Sequence, residues 1–245
     1  MTKPVIELQQ LCFGWKQNQN LLHIEEFSVA AGERVFLRGP SGSGKTTLLN
    51  LITGIHTPVS GKVTLTGTDI TGRSGAWRDR FRADHIGLIF QQFNLLPYLS
   101  VLDNVLLPCR FSRLRRQKAG ERYGTPEAAA LALLSELGID GLLQQPVTDL
   151  SIGQQQRVAA ARALIGSPEI LIADEPTSSL DSDTRSAFIE LLISECDQNN
   201  TSLLFVSHDN QLASHFCRIV GLAEINTAGL SVGGSSGENV GERQA

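Results

Sequence analysis

"VFLRGPSGSGKTTLLNLI", Val35 to Ile52, joins a short apolar run to a leucine-rich stretch through a segment holding Gly39, Gly42 and Gly44. Val35-Phe36-Leu37 has the composition of a buried strand, and Lys45 to Thr53 carries helical periodicity. Between them Gly39 to Thr47 matches G-x-x-x-x-G-K-[ST] in the strand-loop-helix setting that gives this pattern its meaning. The glycines let the backbone wrap so that its N–H groups point at phosphate oxygens, and the helix N-terminus adds its positive dipole end. Lys45 would reach the β and γ phosphates, and Thr46 would offer a hydroxyl to Mg2+. Gly39, Pro40, Ser41, Gly42, Ser43, Gly44, Lys45, Thr46 and Thr47 are thus the first candidate binding set. A ligand-free glycine turn is the competing reading, and the agreement of pattern with context argues against it.

Outward from this stretch, strands are predicted at Val5–Leu8, Ile24–Val29, Arg34–Leu37, Lys62–Thr66, His85–Phe90, Ile170–Ala173 and Leu203–Val206. Helices are predicted at Lys45–Thr53, Val101–Leu107, Pro126–Leu137, Gln154–Ile165, Asp183–Cys196 and Asn210–Phe216. A β-rich start followed by strands alternating with helices argues for an α/β core with a parallel sheet. The stretch from Phe93 to about Val158 has no convincing strand and reads as a helical insertion. One domain is expected over 1–225, with its core at about 1–92 and 159–225 and a helical subdomain at about 93–158. The Gly- and Ser-rich 226–245 reads as a flexible tail.

Composition narrows the setting. At 245 residues and 41% hydrophobic the chain can bury a real core, while a net charge of -4 supplies no basic field to draw in nucleic acid. Cys12, Cys109, Cys196 and Cys217 are far apart, which suits a reducing cytosol better than a zinc site or a disulfide framework. MTKPVIELQQ lacks a signal-peptide core, and the apolar runs are strand-sized, so any membrane link is expected to come through a partner.

In "EILIADEPTSSLD" the apolar run Ile170 to Ala173 ends in Asp174 and Glu175. Paired carboxylates at a strand's carboxyl end sit where open α/β sheets bind ligands. Asp174 is the expected water-mediated partner of Mg2+, and Glu175 is placed to orient or deprotonate an attacking water. The alternative is a pair of solvated acids opening a turn at Pro176.

With GPSGSGKTT, LSIGQQQR, EILIADEPTSSLD and VSHD in this order, the chain resembles the ATP-binding subunit of an ABC transporter over about residues 5–222. The resemblance implies a P-loop NTPase core with an N-terminal antiparallel β portion and an inserted helical subdomain. It implies an ATPase using ATP and Mg2+, held at the cytoplasmic face of the inner or plasma membrane by a separate permease. It also implies a head-to-tail pair of subunits, each ATP lying between the phosphate loop of one chain and the signature helix of the other. Carried over by position, Trp15 falls eight residues after Glu7, where the family stacks an aromatic on adenine; packing at an edge is the other reading. Gln91 matches the glutamine that senses Mg2+ and water, or else merely caps a strand. His208 matches the switch histidine at the γ-phosphate. Asp181 matches the loop that signals between the two nucleotide sites, a role compatible with capping the following helix.

The signature carries the clearest departure: "LSIGQ" holds Ile152 where the family usually has glycine. Ser151-x-x-Gln154 reads as a capping box, so Ile152 falls at the first helical position, where dihedrals are ordinary and the N–H is retained. Ser151, Gly153 and Gln154 then remain candidate ATP contacts across the pair, and Ile152 is expected to be tolerated. "RADHIGLIFQQFNLLPYLSVLDNVLLP" looks most like the lipoprotein-release and macrolide-export branch, although polar amino acid importers share its "FNLLP" portion. The basic cluster Arg110, Arg113, Arg115, Arg116 and Lys118 reads as a solvated face, or as a contact with permease or lipid headgroups. Two other classes stay in view. A non-transport ABC ATPase would bring long heptads, zinc cysteines or tandem cassettes, and a non-hydrolysing adaptor would have lost Glu175 or His208; the sequence has neither mark.

Overall fold

The computed structural model describes residues 3–16, 20–178, 180 and 182–228. In chain order the elements are β1 (Pro4–Phe13), β2 (Leu22–Ala30), β3 (Arg34–Arg38), α1 (Lys45–Ile52), β4 (Ser60–Leu65), β5 (Thr68–Asp69), α2 (Gly75–His85) and β6 (Ile86–Ile89). There follow α3 (Val101–Phe111), α4 (Arg113–Tyr123), α5 (Pro126–Glu136), α6 (Ile152–Leu164), β7 (Ile170–Asp174), α7 (Ser182–Gln198), β8 (Ser202–Ser207), β9 (Arg218–Gly221) and α8 (Leu222–Ile225).

The strands form two sheets: antiparallel β2-β1-β4-β5, and parallel β6-β7-β8-β3-β9. Side-chain alternation along β3 shows how the layers stack. Val35 and Leu37 join a core with α1 and the antiparallel sheet, while Phe36 faces the opposite way, against Phe205 and Phe216. The second core continues through α3, α5, α6 and α7, so the helical insertion packs on the same face as the sheet's aromatic residues. Gly87 on β6 permits the close approach of α6, since a Cβ there would come within 2.3 Å of the Ala163 carbonyl oxygen.

Each predicted strand and most predicted helices are present, with ends shifted by a few residues. Asn210–His215 is a 3-10 helix, short and capped by the Asp209 side chain, in place of the α-helix expected there. The elements β5, α2, α4, β9 and α8 had no separate expectation. Asn226 accepts from the His23 N–H, and the Thr227 N–H donates to the His23 carbonyl, so ordered contact with β2 extends past the expected start of the tail; residues 229–245 lie outside those described.

The basic cluster divides: Arg110, Arg113 and Arg116 are exposed, as a solvated face requires, whereas Arg115 is buried, which corrects the outward-facing expectation for that residue alone. Arg115 is 2% exposed and donates through Nε to the Ile165 carbonyl at 2.8 Å and through Nη2 to that of Ala163. It thereby satisfies carbonyls at the C-terminal end of α6 that no helical N–H reaches. Desolvation lowers its pKa to about 10. Arg116 bonds the Cys109 carbonyl at 2.9 Å, Arg110 pairs with Asp103, and Lys118 reaches Glu169 at 2.7 Å. Burial alone would raise the Glu169 pKa, but bonds from His85 and Lys118 hold it at about 2.

A second buried acid behaves oppositely. Glu195 on α7 is 3% exposed and faces Glu136 at the end of α5; desolvation first, then the Glu136 charge, push its pKa up to about 7. Between about pH 4.5 and 7 the folded state holds a proton the unfolded chain has lost, so stability falls as pH rises through this window. The Glu169 contribution builds up between about pH 2 and 4.5 and is fully present above that, so it does not change across the Glu195 window. Glu195→Gln is expected to be more stable than the parent at pH 8 by more than about 1 kcal/mol, with little difference near pH 4.5. Urea denaturation at the two pH values checks this; equal differences at both would show that Glu195 does not titrate in the window.

Candidate nucleotide site

The carboxyl ends of the three adjacent strands β7, β8 and β3 meet at one edge of the parallel sheet. Pairing sets them level: Arg38 lies opposite Ser207, and Val206 opposite Asp174. The residues that follow each strand are therefore neighbours in space although they come from widely separated segments, the geometry in which open α/β sheets place ligands.

After β3, the loop Gly39–Gly44 turns into α1. Gly42 and Gly44 have φ of +77° and +101°, conformations that a side chain would strain. The Ser43 hydroxyl is buried with no hydrogen-bond partner among the described residues, and a Cβ at Gly39 would stand 2.9 Å from it. An unpaired buried donor in a loop at a helix N-terminus fits an acceptor-rich phosphate group. Lys45, 6% exposed, donates to the carbonyls of Gly39 at 2.7 Å and Pro40 at 3.0 Å, and lies 3.5 Å from Glu175 Oε1.

After β7, Asp174 Oδ2 accepts from the Thr46 hydroxyl at 3.2 Å. Burial raises the Asp174 pKa, helped by the Glu175 charge and opposed by the Thr46 bond and Lys45. Glu175 has φ of +46°, and its N–H donates to the Val206 carbonyl at 2.9 Å. Pro176 disfavours the right-handed helical region for the residue before it, and a left-handed residue costs about 1–2 kcal/mol. The bond to Val206 and the contacts with Lys45 and His208 hold it there. Glu175 Oε2 is 2.6 Å from His208 Nδ1, at the end of β8.

A cleft of about 430 Å³ is lined by Trp15, Ser41, Gly42, Gly44, Lys45, Thr46, Thr47, Gln91, Asp174 and Glu175, together with Leu21. Leu21 had no sequence signal, being one apolar residue beside another. Trp15 stands edge-on to Phe13 and His56, with ring centroids 5.2 and 5.1 Å away, and is 61% exposed, which leaves a ring face open. Pro40 and His208 line an adjoining depression.

The signature residues are not brought to this cleft. Ser151 caps α6: its hydroxyl accepts from the Gln154 N–H at 3.3 Å while Gln154 Oε1 accepts from the Ser151 N–H at 2.9 Å. Ile152 is the first helical residue and is 53% exposed. Among the described residues a Cβ added at Gly153 would meet nothing nearer than the Thr184 side chain, at 4.0 Å. Gln156 ties the same helix to the loop behind Glu175, donating to the Pro176 carbonyl at 2.8 Å. Asp181 lies outside the described residues.

A glycine loop at the end of β3 and paired acids at the end of β7, with the histidine-bearing end of β8 between them, define a P-loop ATPase. Residues 22–178 match the family described as ABC transporter, and the chain belongs to that family. It is 40% identical over 224 residues to the lipoprotein-releasing system ATP-binding protein LolD of Syntrophotalea carbinolica, covering 90% of this chain and 95% of that protein. It is 39% identical over 196 residues to the macrolide export ATP-binding/permease protein MacB of Rhodopirellula baltica, covering 79% of this chain and 28% of that longer protein. Among solved structures, the dimeric post-hydrolysis state of the ATP-binding cassette MJ0796 bound to ADP and Pi superposes with a TM-score of 0.76 at 33% identity, covering 88% of this chain and 93% of that one.

Proposed function

We propose that the chain is the ATP-hydrolysing subunit of a transporter of the lipoprotein-release and macrolide-export type, working as a head-to-tail pair on a separate membrane permease. The observation that carries this reading is the run of contacts across three strand ends: Thr46 to Asp174, Lys45 to Glu175, and Glu175 to His208. In it Lys45 and the loop N–H groups bind the β and γ phosphates, Trp15 stacks on adenine, and Glu175 accepts a proton from water that His208 helps to hold. Mg2+, when bound, neutralises phosphate charge; the Thr46 hydroxyl, the Asp174 carboxylate and the Gln91 side chain, all oxygen donors, would hold it. Asp181 keeps its proposed role between the paired sites.

The exposure of Ser151 and Ile152 away from the chain's own cleft supports a site completed by a second copy, in which Ser151, Gly153 and Gln154 meet the phosphates. A single ATPase domain over 1–225, with 93–158 as its helical subdomain, fits this assembly. An apolar groove of about 590 Å³, lined by Leu88, Phe90, Leu107, Pro108 and Phe111, supports docking of the permease next to Gln91. No helix among the described residues is long and apolar enough to cross a membrane, so attachment to the cytoplasmic face would run through that partner. The importer alternative gains no observation of its own.

Tagged chain solubilised from membranes is expected to bring down one multi-spanning permease with a large extracytoplasmic domain, and the complex to hydrolyse MgATP. Recovery with no integral membrane protein would overturn the transporter reading. Ile152→Gly is expected to leave the ATPase rate within about threefold, because the first helical position needs no special dihedral and the cap is made by Ser151 and Gln154. A rise from near zero to a normal rate would show that the isoleucine obstructs the paired site.

A further inference from the structure

Arg162 sits in the last turn of α6, at the far end of that helix from Ser151. Its Nη1 donates to the Asn94 carbonyl at 2.7 Å and its Nη2 to the Phe93 carbonyl at 2.5 Å. Phe93 and Asn94 have φ of +58° and +50°, a left-handed pair that residues with side chains seldom adopt in succession. Neither is glycine, and the turn's own bonds, from the Phe93 N–H to the Phe90 carbonyl at 2.9 Å and from the Asn94 N–H to the Gln92 carbonyl at 2.6 Å, are reinforced from α6 by Arg162. The planar guanidinium spans both carbonyls, adding two bonds from α6 to the turn.

Gln91, two residues before this turn, lines the nucleotide cleft. Asn94 and Arg162 also line the apolar groove on the other side. The 13 residues of α6 make a rod of about 20 Å, with the exposed signature at one end and the arginine fork at the other. We infer that Arg162 is a positioning residue for Gln91: it clamps the left-handed Phe93–Asn94 turn and so joins the partner-facing start of α6 to the nucleotide cleft. A shift of α6 when two chains close, or pressure on the groove wall, then moves Gln91 through two hydrogen bonds. This rests on the role proposed above for Gln91 at Mg2+ and the attacking water.

The test uses full-length Arg162→Ala and Arg162→Lys, the lysine being able to serve one carbonyl at a time. Hydrogen exchange over residues 89–96, read without nucleotide, is expected to speed up at least about tenfold in the alanine variant and less in the lysine variant. The kcat is expected to fall about tenfold with KM for MgATP within about twofold, and the Mg2+ concentration for half-maximal rate to rise. Arg162→Ala combined with Gln91→Ala is expected to be no slower than Gln91→Ala alone. Unchanged exchange in both variants, or additive losses in the double variant, would overturn the inference. Normal kcat and Mg2+ dependence in Gln91→Ala would instead remove the role of Gln91; the nucleotide-free exchange result tells that failure from a failure of the clamp.

Discussion

Glu175→Gln is expected to lower the ATPase rate by roughly a hundredfold to ten-thousandfold while leaving ATP binding intact, and to accumulate an ATP-bound dimer. Glutamine keeps the size of the side chain and its capacity to bond His208, but it cannot take a proton from water. The base role proposed for Glu175 rests on its placement: the carboxylate lies between Lys45 at 3.5 Å and His208 at 2.6 Å, and its backbone N–H bonds the Val206 carbonyl. Substituting the neighbouring Asp174 would confound binding with turnover, since Asp174 contacts Thr46 and is the proposed metal partner. Phosphate release under saturating MgATP, with gel filtration in the same buffer, checks both halves of the expectation. Near-normal hydrolysis would reject Glu175 as the base.

Arg115→Leu is expected to destabilise the fold by about 3 kcal/mol, lowering the melting temperature by roughly 6–12 °C, although arginine ordinarily belongs at the surface. Leucine replaces the buried stem but leaves the Ile165 and Ala163 carbonyls without their donor. Gly166 packs so closely that a Cβ there would lie 2.5 Å from the Arg115 carbonyl oxygen, so the backbone has little room to re-pair them. Arg113→Ala, two residues earlier and exposed, is the control and is expected to change stability by less than about 0.5 kcal/mol. Equal melting temperatures for the two variants would return Arg115 to the surface role first read from the cluster's charge.

The contrast between these arginines shows where sequence reasoning reached. Strands such as Ile170–Ala173 and Leu203–Val206 were legible because a buried parallel strand reads as an unbroken apolar run. The Ser151 cap and the start of α6 were legible because a capping box is complete within four residues. By contrast, α4 reads "RLRRQKAGERY", with almost no apolar stripe; it is anchored by Arg115 and Lys118 reaching carbonyls and a carboxylate about fifty residues away in sequence, which no local pattern records.

By itself the sequence determined the phosphate loop, the identity of the acids and histidine that face it, and the alternation of strands and helices, because each depends on residue type and spacing within a few turns of chain. The tertiary structure alone decided that Asp174, Glu175 and His208 stand level with the loop, that Arg115 is buried, that Glu195 meets Glu136, and that Arg162 holds the turn behind Gln91. Those facts depend on strand register and on burial, which are set by contacts between distant segments: the same carboxylate or guanidinium is solvated, paired or pushed off its ordinary pKa according to what the fold packs against it.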